Sequence, residues 1–237
     1  MPSKDTDRWH ELRRNMICGS EIGAFMGLDR GLSRKLLLET KAGTRTRKTE
    51  SSFAVNMMEW GKQNEKVALA CFAEAFAGTL GAITTLGSLQ HVAVPRISGE
   101  PDAVLIGGGS GAYVPVEIKC RAYPDASRAC PFVLPRDIPA KHVVQLQTYM
   151  ELLDSEIGYL VSWSLNNGFA VFRFSRARFF FTDHLFPEVR KWEEGSLPLR
   201  LSRSQKTCIN KAMDELWDSH TEIFCNFPTS FSWKKVL

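Results

Sequence analysis

Residues 101–120 read PDAVLIGGGSGAYVPVEIKC, and this segment decides the fold. Two runs rich in Val, Ile, Leu and Tyr, 103–106 and 113–120, flank the glycine-rich turn GGGSGA at 107–112, which is the pattern of a β-hairpin. Side chains alternate along a strand with period two. Val114, Val116, Ile118 and Cys120 therefore point one way, and Glu117 and Lys119 the other. If the hairpin turns symmetrically, with Gly107 facing Ala112, counting outward places Asp102 directly across from Glu117. Opposed Cβ atoms in such a pair lie about 4.5–5.5 Å apart. Two carboxylates on one face at that separation repel each other unless a cation lies between them.

A hard divalent ion suits this arrangement, because Mg²⁺ takes carboxylate, carbonyl and water oxygens and needs no dedicated protein cage. Asp102 and Glu117 are the candidate ligands, with the Ile118 main-chain carbonyl as a third group. Lys119 lies one step along the same face, placed to orient an attacking water and favour its deprotonation. The chemistry that fits is metal-assisted hydrolysis of a phosphodiester. The competing reading is a solvent-facing salt-bridge cluster, since an isolated E-x-K occurs by chance in many strands. Two features weigh against it. Positions 61, 65, 68, 72 and 76 form one helical stripe, Gly61, Glu65, Ala68, Phe72 and Phe76, which puts a third carboxylate on an inward face. Gln145 and Tyr149 form an i, i+4 pair on the helix that follows the E-x-K strand.

Working outward, the chain has 237 residues, of which 44% are hydrophobic, and a formal net charge of +4. A chain this long buries roughly 70% of its unfolded surface, so its core needs no disulfide or metal staple. The six cysteines show no CxxC pair and no Cys/His cluster at zinc or iron–sulfur spacing. They read as reduced thiols in a cytosol-like compartment, the host-cell interior if the protein is viral. No apolar run approaches the ~20 residues of a membrane span, and residues 1–15 are charged rather than signal-like. Charge is uneven: residues 41–48 read KAGTRTRK, and Arg8, Arg13 and Arg14 lie near the start. Such runs are ordinarily solvated loops, but for a DNA partner Arg45 and Arg47 become the candidate backbone contacts.

Helices are expected over 5–14, from Ser20 as N-cap into EIGAFMGL, over 32–41, 57–77 and 138–153. Strands are expected over 89–94, 103–106, 113–120, 157–162 and 169–174, followed by a mainly helical region from about 176 to 237. The order predicts one α/β domain over 1–237, a central mixed β-sheet flanked by helices, with its core at about 9–175.

Asp102, Glu117-Ile118-Lys119 and the run QLQTY at 145–149 resemble the PD-(D/E)xK nucleases of the RecB-type branch. Trp9, Arg13, ICGSEIGAFMGL at 17–28 and Trp60-Gly61 with Glu65 narrow the resemblance to the lambda exonuclease and viral recombinase (alkaline exonuclease) family. The resemblance spans about residues 9–163. It implies a restriction-endonuclease-like core, Mg²⁺ (or Mn²⁺ in its place) on Asp102 and Glu117, and Glu65 supporting a second metal. It further implies that Lys119 acts on the water, that Gln145 or Gln147 steadies Lys119 or the scissile strand, and that Tyr149 belongs to the same substrate-binding element. Arg13 and Ser20 are implied to hold the 5'-terminal phosphate, and a helix start at Ser20 would favour an anion independently; Ser20 as a plain cap is the alternative. The usual S-P-D-G of the family reads Glu100-Pro101-Asp102-Ala103 here, so Glu100 either repels phosphate or joins the metal shell.

The expected activity is Mg²⁺-dependent, 5'-to-3' exonucleolytic hydrolysis of linear double-stranded DNA in recombination or in viral or phage replication. A single-strand annealing protein and a ring-shaped homotrimer are the partners the resemblance implies, with no membrane. An endonuclease of the same core acting on DNA or RNA, and a non-catalytic DNA-binding or annealing module, are the rivals. None of the five histidines shows ligand spacing, though His142 precedes Gln145 by three and edges the cleft. Arg121, Arg128 and Arg136 border a Pro-rich loop that either grips the DNA backbone or merely connects. The aromatic residues of the C-terminal region, among them Trp192, Trp217 and Trp233, read as packing or an oligomer contact rather than base-stacking platforms.

Overall fold

The central hairpin has the expected register. Strand β5 (Ala103–Ile106) pairs antiparallel with β6 (Tyr113–Cys120), with Ala103 opposite Val116 and Ile106 opposite Tyr113. The Gly107 N–H donates to the Ala112 carbonyl at 3.0 Å. Pro115 is tolerated inside β6 for a geometric reason. It lies at a non-hydrogen-bonded position toward β5, and pairing with the next strand begins only at Val116. The computed structural model describes residues 11, 13–45, 51–75, 81–107, 112–121, 135–165 and 168–227, with 218–227 described by backbone alone.

The chain opens with β1 (Ile17–Cys18), α1 (Gly19–Phe25) and α2 (Arg34–Lys41), then the long helix α3 (Ser52–Ala75). Short strands β2 (Ala82–Thr84), β3 (Leu89–Gln90) and β4 (Ile97–Gly99) precede the hairpin. After it come α4 (Ala140–Leu152), β7 (Ile157–Ser164) and β8 (Gly168–Ser175). A π-helical segment at Phe180–Leu185, α5 (Phe186–Glu193), α6 (Arg203–His220) and β9 (Thr221–Phe227) complete the described chain. The main sheet has the order β2-β5-β6-β7-β8-β9, with β6 and β7 parallel and every other pair antiparallel. A small second sheet, β1-β4-β3, places the start of α1 beside Gly99.

Four expectations change. The strand at 89–94 is only Leu89–Gln90, because 92–95 turn back into β4, which sequence alone did not suggest. Strand β2 was not expected. The mainly helical C-terminal region also contains a strand that was not expected: β9 closes the sheet against β8. Ser20 is not the cap of α1. Cys18 is, and its N–H is satisfied by the buried Glu21 carboxylate at 3.1 Å. Phe76, Arg128 and Trp233 lie outside the described residues, as do the first ten residues and most of the Pro-rich loop.

The sheet carries a core on each face. Period-two alternation sends Tyr159, Val161 and Trp163 of β7 toward α3, where they meet Ala68, Cys71 and Phe72 beside Val116 and Ile118. Trp60 stacks on Trp163 with ring centroids 5.9 Å apart. On the other face Leu160, Phe172 and Phe174 pack with α1, α2, α4 and the C-terminal helices. Trp192 and Trp217 pack against that core, as expected. Helix α4 is fixed at its C-terminal end by the buried Arg176 guanidinium, which reaches Glu151 at 2.8 Å and Asp154 at 2.5 Å.

Helices α1 and α4 approach so closely that a Cβ on Gly23 would lie 2.5 Å from Lys141 Cβ and 2.8 Å from its Cα. The second contact is with backbone, so relief requires the helices to part. Gly23→Ala is expected to cost about 1–3 kcal/mol, read as a lower urea midpoint at unchanged m-value. An unaltered midpoint would contradict the observed packing.

Candidate active site

Glu117 and Lys119 leave β6 on the α4 side, while Val116 and Ile118 enter the core under α3. Asp102 immediately precedes β5, so the hairpin register sets it across from Glu117. Its Oδ2 accepts the Ile118 N–H at 2.7 Å. Because 107 and 112 form a hydrogen-bonded pair, the alternation of the ladder makes 101 and 118 the next such position beyond Ala103 and Val116. Position 101 is proline, which has no N–H to give. The ladder therefore supplies no donor from position 101 to the Ile118 carbonyl, just where a third metal oxygen was expected.

Glu117 is only 1% exposed. One of its oxygens, Oε1, contacts Lys119 Nζ, and the other, Oε2, is buried with no hydrogen-bond partner. Burial, then the neighbouring Asp102 charge, push the Glu117 carboxyl up from 4.5 to about 8, with Lys119 opposing. For Lys119 burial works against the charge, but Glu117, Asp102 and Glu65 outweigh it and hold the ammonium above its usual range. The two groups titrate as a coupled pair. Glu65 reaches this group electrostatically from α3, which packs on the opposite face of the sheet. Among the described residues no three Asp, Glu, His or Cys side chains form a ready-made metal cage. A divalent cation nevertheless fits the donors present: a buried carboxylate oxygen without a partner, a second carboxylate across the hairpin and a carbonyl relieved of its ladder donor.

A cavity of about 210 Å³ opens beside Asp102, lined among others by Arg13, Ser20, Glu100, Gln145 and Tyr149. Gln145 and Tyr149 lie on one face of α4, with Gln145 Nε2 donating to Tyr149 Oη at 2.9 Å. The Tyr149 ring fills the space that side chains at Gly19 and Gly99 would need: an added Cβ would come within 2.7 Å and 2.6 Å of it. Both glycines are thus set by a close approach. Arg13 is held from behind, because Lys41 Nζ donates to its carbonyl at 2.8 Å and to Glu21 at 2.7 Å. Reading the sequence missed this brace; a glutamate inside the apolar run EIGAF was its only signal. Cys18 and Ser98, also lining the cavity, were missed as well.

Two other expected residues lie elsewhere, and a third is not among those described. Gln147 turns away from the cavity, donating to the Ser175 carbonyl and accepting the Ala177 N–H, so it ties α4 to the end of β8. Arg45 is exposed, pairs with Glu39 at 3.3 Å, and does not line the cavity. Arg47 lies outside the described residues.

Fold and site together define an α/β protein with a restriction-endonuclease-like core, whose acidic residues and lysine cluster on its central hairpin. Residues 8–155 match the YqaJ-like viral recombinase domain, and the chain belongs to that family. No curated protein sequence matches it. Among solved structures, the chain is similar to the alkaline exonuclease LHK-Exo from Laribacter hongkongensis. The TM-score is 0.54 at 17% identity, over 88% of this chain and 93% of that one. LHK-Exo in complex with dAMP gives 0.54 at 18% identity, over 89% and 96%. At these identities the likeness is one of fold.

The raised Glu117 carboxyl makes a signed prediction for the protein stripped of divalent ions. The group holds a proton in the folded chain between about 4.5 and about 8 and loses it on unfolding. Its contribution to stability is therefore full below about 4.5 and disappears as pH rises through about 8. Glu117→Gln should flatten that slope, matching the parent in acid and exceeding it in mild alkali, in chelator-treated urea unfolding series. Parallel pH profiles for the two proteins would contradict the burial of the charge.

Proposed function

We propose that this protein is a metal-dependent deoxyribonuclease that hydrolyses linear duplex DNA from its 5' ends. The observation that carries the reading is the gathering of Asp102, Glu117 and Lys119 on one face, next to a cavity that also receives Arg13 and Ser20. Membership of a viral recombinase family and a fold shared with an alkaline exonuclease support it. Asp102, Glu117 and the Ile118 carbonyl would hold Mg²⁺, or Mn²⁺ in its place, with Glu65 assisting a second ion. The ion would supply charge stabilisation at the phosphate and a more acidic water.

The chain's own groups have separable tasks. Lys119, kept charged by the surrounding carboxylates, orients the water and balances negative charge. Gln145 steadies the scissile strand from α4, and the Arg13 guanidinium binds the terminal phosphate bidentately. Ser20 is exposed on the cavity wall, within the first turn of α1, and contributes a hydroxyl. Recombination or phage replication, a ring-shaped homotrimer threaded by DNA, and a single-strand annealing partner complete the proposal on family grounds. The host-cell interior is the proposed site of action; no described helix is long and apolar enough to cross a membrane.

With Mg²⁺ the protein should degrade linear duplex DNA to mononucleotides and leave covalently closed circles intact. Lys119→Ala should lower turnover by about 10²–10³-fold while DNA binding in Ca²⁺ stays nearly constant. Wild-type turnover in that variant overturns the site. Nicking of closed circles points to an endonuclease, and binding without cleavage to an annealing module. Arg13→Ala should reduce the preference for 5'-phosphorylated over 5'-hydroxyl ends by about tenfold or more; an unchanged ratio removes Arg13 from the end pocket.

A further inference from the structure

Lys41 is the last residue of α2, and no step of the proposed reaction uses it. Its ammonium is nonetheless turned inward. It donates to the Arg13 carbonyl at 2.8 Å and to Glu21 Oε2 at 2.7 Å, and the side chains of Lys41 and Glu21 are only 8% and 12% exposed. A lysine is ordinarily left in water. Ordering this one costs side-chain entropy and hydration, which the two charge-assisted hydrogen bonds offset.

Two segments meet on this ammonium. The Arg13 carbonyl accepts Lys41 and also the Met16 N–H, at 3.3 Å, so both of its lone pairs are occupied and the peptide plane that follows Arg13 is fixed. The direction in which the Arg13 side chain leaves the backbone is fixed with it. Glu21 Oε2 accepts Lys41 and also the Cys18 N–H, at 3.1 Å, where β1 passes into α1. Ser20 lies between those two residues, in the first turn of α1. One ammonium thus ties the backbone of Arg13 to the turn that carries Ser20. Arg13 and Ser20 both line the cavity beside Asp102, and Lys41 is not among its lining residues. The Glu21 carboxylate opposes the Lys41 charge at contact distance, so Lys41 acts on an anion in the cavity through geometry rather than through its field.

We propose that Lys41 is a positioning residue which sets the spacing between the backbones that carry Arg13 and Ser20, and thereby the preference of the cavity for a 5'-phosphorylated end. This rests on the reading of that cavity as the seat of the DNA end. A terminal phosphate is met by both groups at once. When their separation fluctuates, part of the binding free energy is consumed in ordering them. A 5'-hydroxyl end makes no such demand, so the loss is selective for phosphorylated ends.

The test compares kcat/KM on linear duplexes ending in 5'-phosphate and in 5'-hydroxyl, with Mg²⁺ present and thermal midpoints recorded to confirm folding. Lys41→Met, which keeps an unbranched stem and removes the donors, is expected to lower the phosphate-to-hydroxyl ratio by about three- to tenfold. In an Arg13→Ala background the same change should move the ratio by less than about twofold, because the side chain being positioned is gone. A parental ratio in Lys41→Met overturns the proposal. So do equal losses on both kinds of end, which a merely structural role would give, and losses that add to those of Arg13→Ala. Should the single variant not fold because Glu21 is left buried without its cation, Lys41→Met combined with Glu21→Gln removes both charges, keeps an oxygen for the Cys18 N–H and is held to the same outcomes. If Arg13→Ala alone leaves the ratio unchanged, it is the end-pocket reading that fails, and the inference falls with it.

Discussion

The register of one hairpin governs the rest of the site. A slip of one residue between β5 and β6 would turn Glu117 into the α3 core and Ile118 toward the cavity, since every side chain changes face together. The observed register is pinned on both sides: the Gly107–Ala112 hydrogen bond closes the turn, and Ala103, Leu105, Val116 and Ile118 are buried in one apolar layer. Pro101 then interrupts the ladder where continued pairing would consume the Ile118 carbonyl, and Asp102 takes the Ile118 N–H in its place. The proline thereby withholds the ladder donor from the Ile118 carbonyl, while Asp102 accepts the Ile118 N–H.

The site is costly to the fold that carries it. A carboxyl buried as deeply as Glu117, with one oxygen unpartnered and a second acid across the hairpin, opposes folding until a cation balances it. The structure around it is correspondingly over-determined. Arg176 and Gln147 anchor the C-terminal half of α4, Gly23 lets α1 press against its start, and Tyr149 fills the gap between Gly19 and Gly99. Lys41 and Glu21 brace the segment that presents Arg13. Each of these contacts is structural, and together they hold in place the helices and the segment before β1 that line the cavity.

How much of this was legible in the sequence depends on how local the deciding interaction is. The hairpin, β7, β8 and α4 were readable because alternation, a glycine turn and a continuous apolar stripe are written within each segment. Strand β9 was not: it follows α6 without a break at His220–Thr221, and only its partner β8, some fifty positions away, makes it a strand. The two glutamines of QLQ show the same limit at the site. Two residues apart on a helix they cannot face the same way, so one had to be wrong, and the pattern alone could not say that Gln145 faces the cavity while Gln147 ties down β8. Ser20 failed as a cap because the residue capping α1 is Cys18, an unusual choice made workable by the Glu21 carboxylate.

The claim on which the account stands is that Asp102 and Glu117 share one divalent ion. Anomalous diffraction from crystals grown with Mn²⁺ tests it most directly. The account predicts a peak about 2 Å from one oxygen of each carboxylate and from the Ile118 carbonyl, with Glu117 drawn off Lys119. A peak bound elsewhere, or none while Glu117 stays clamped to Lys119, would contradict it.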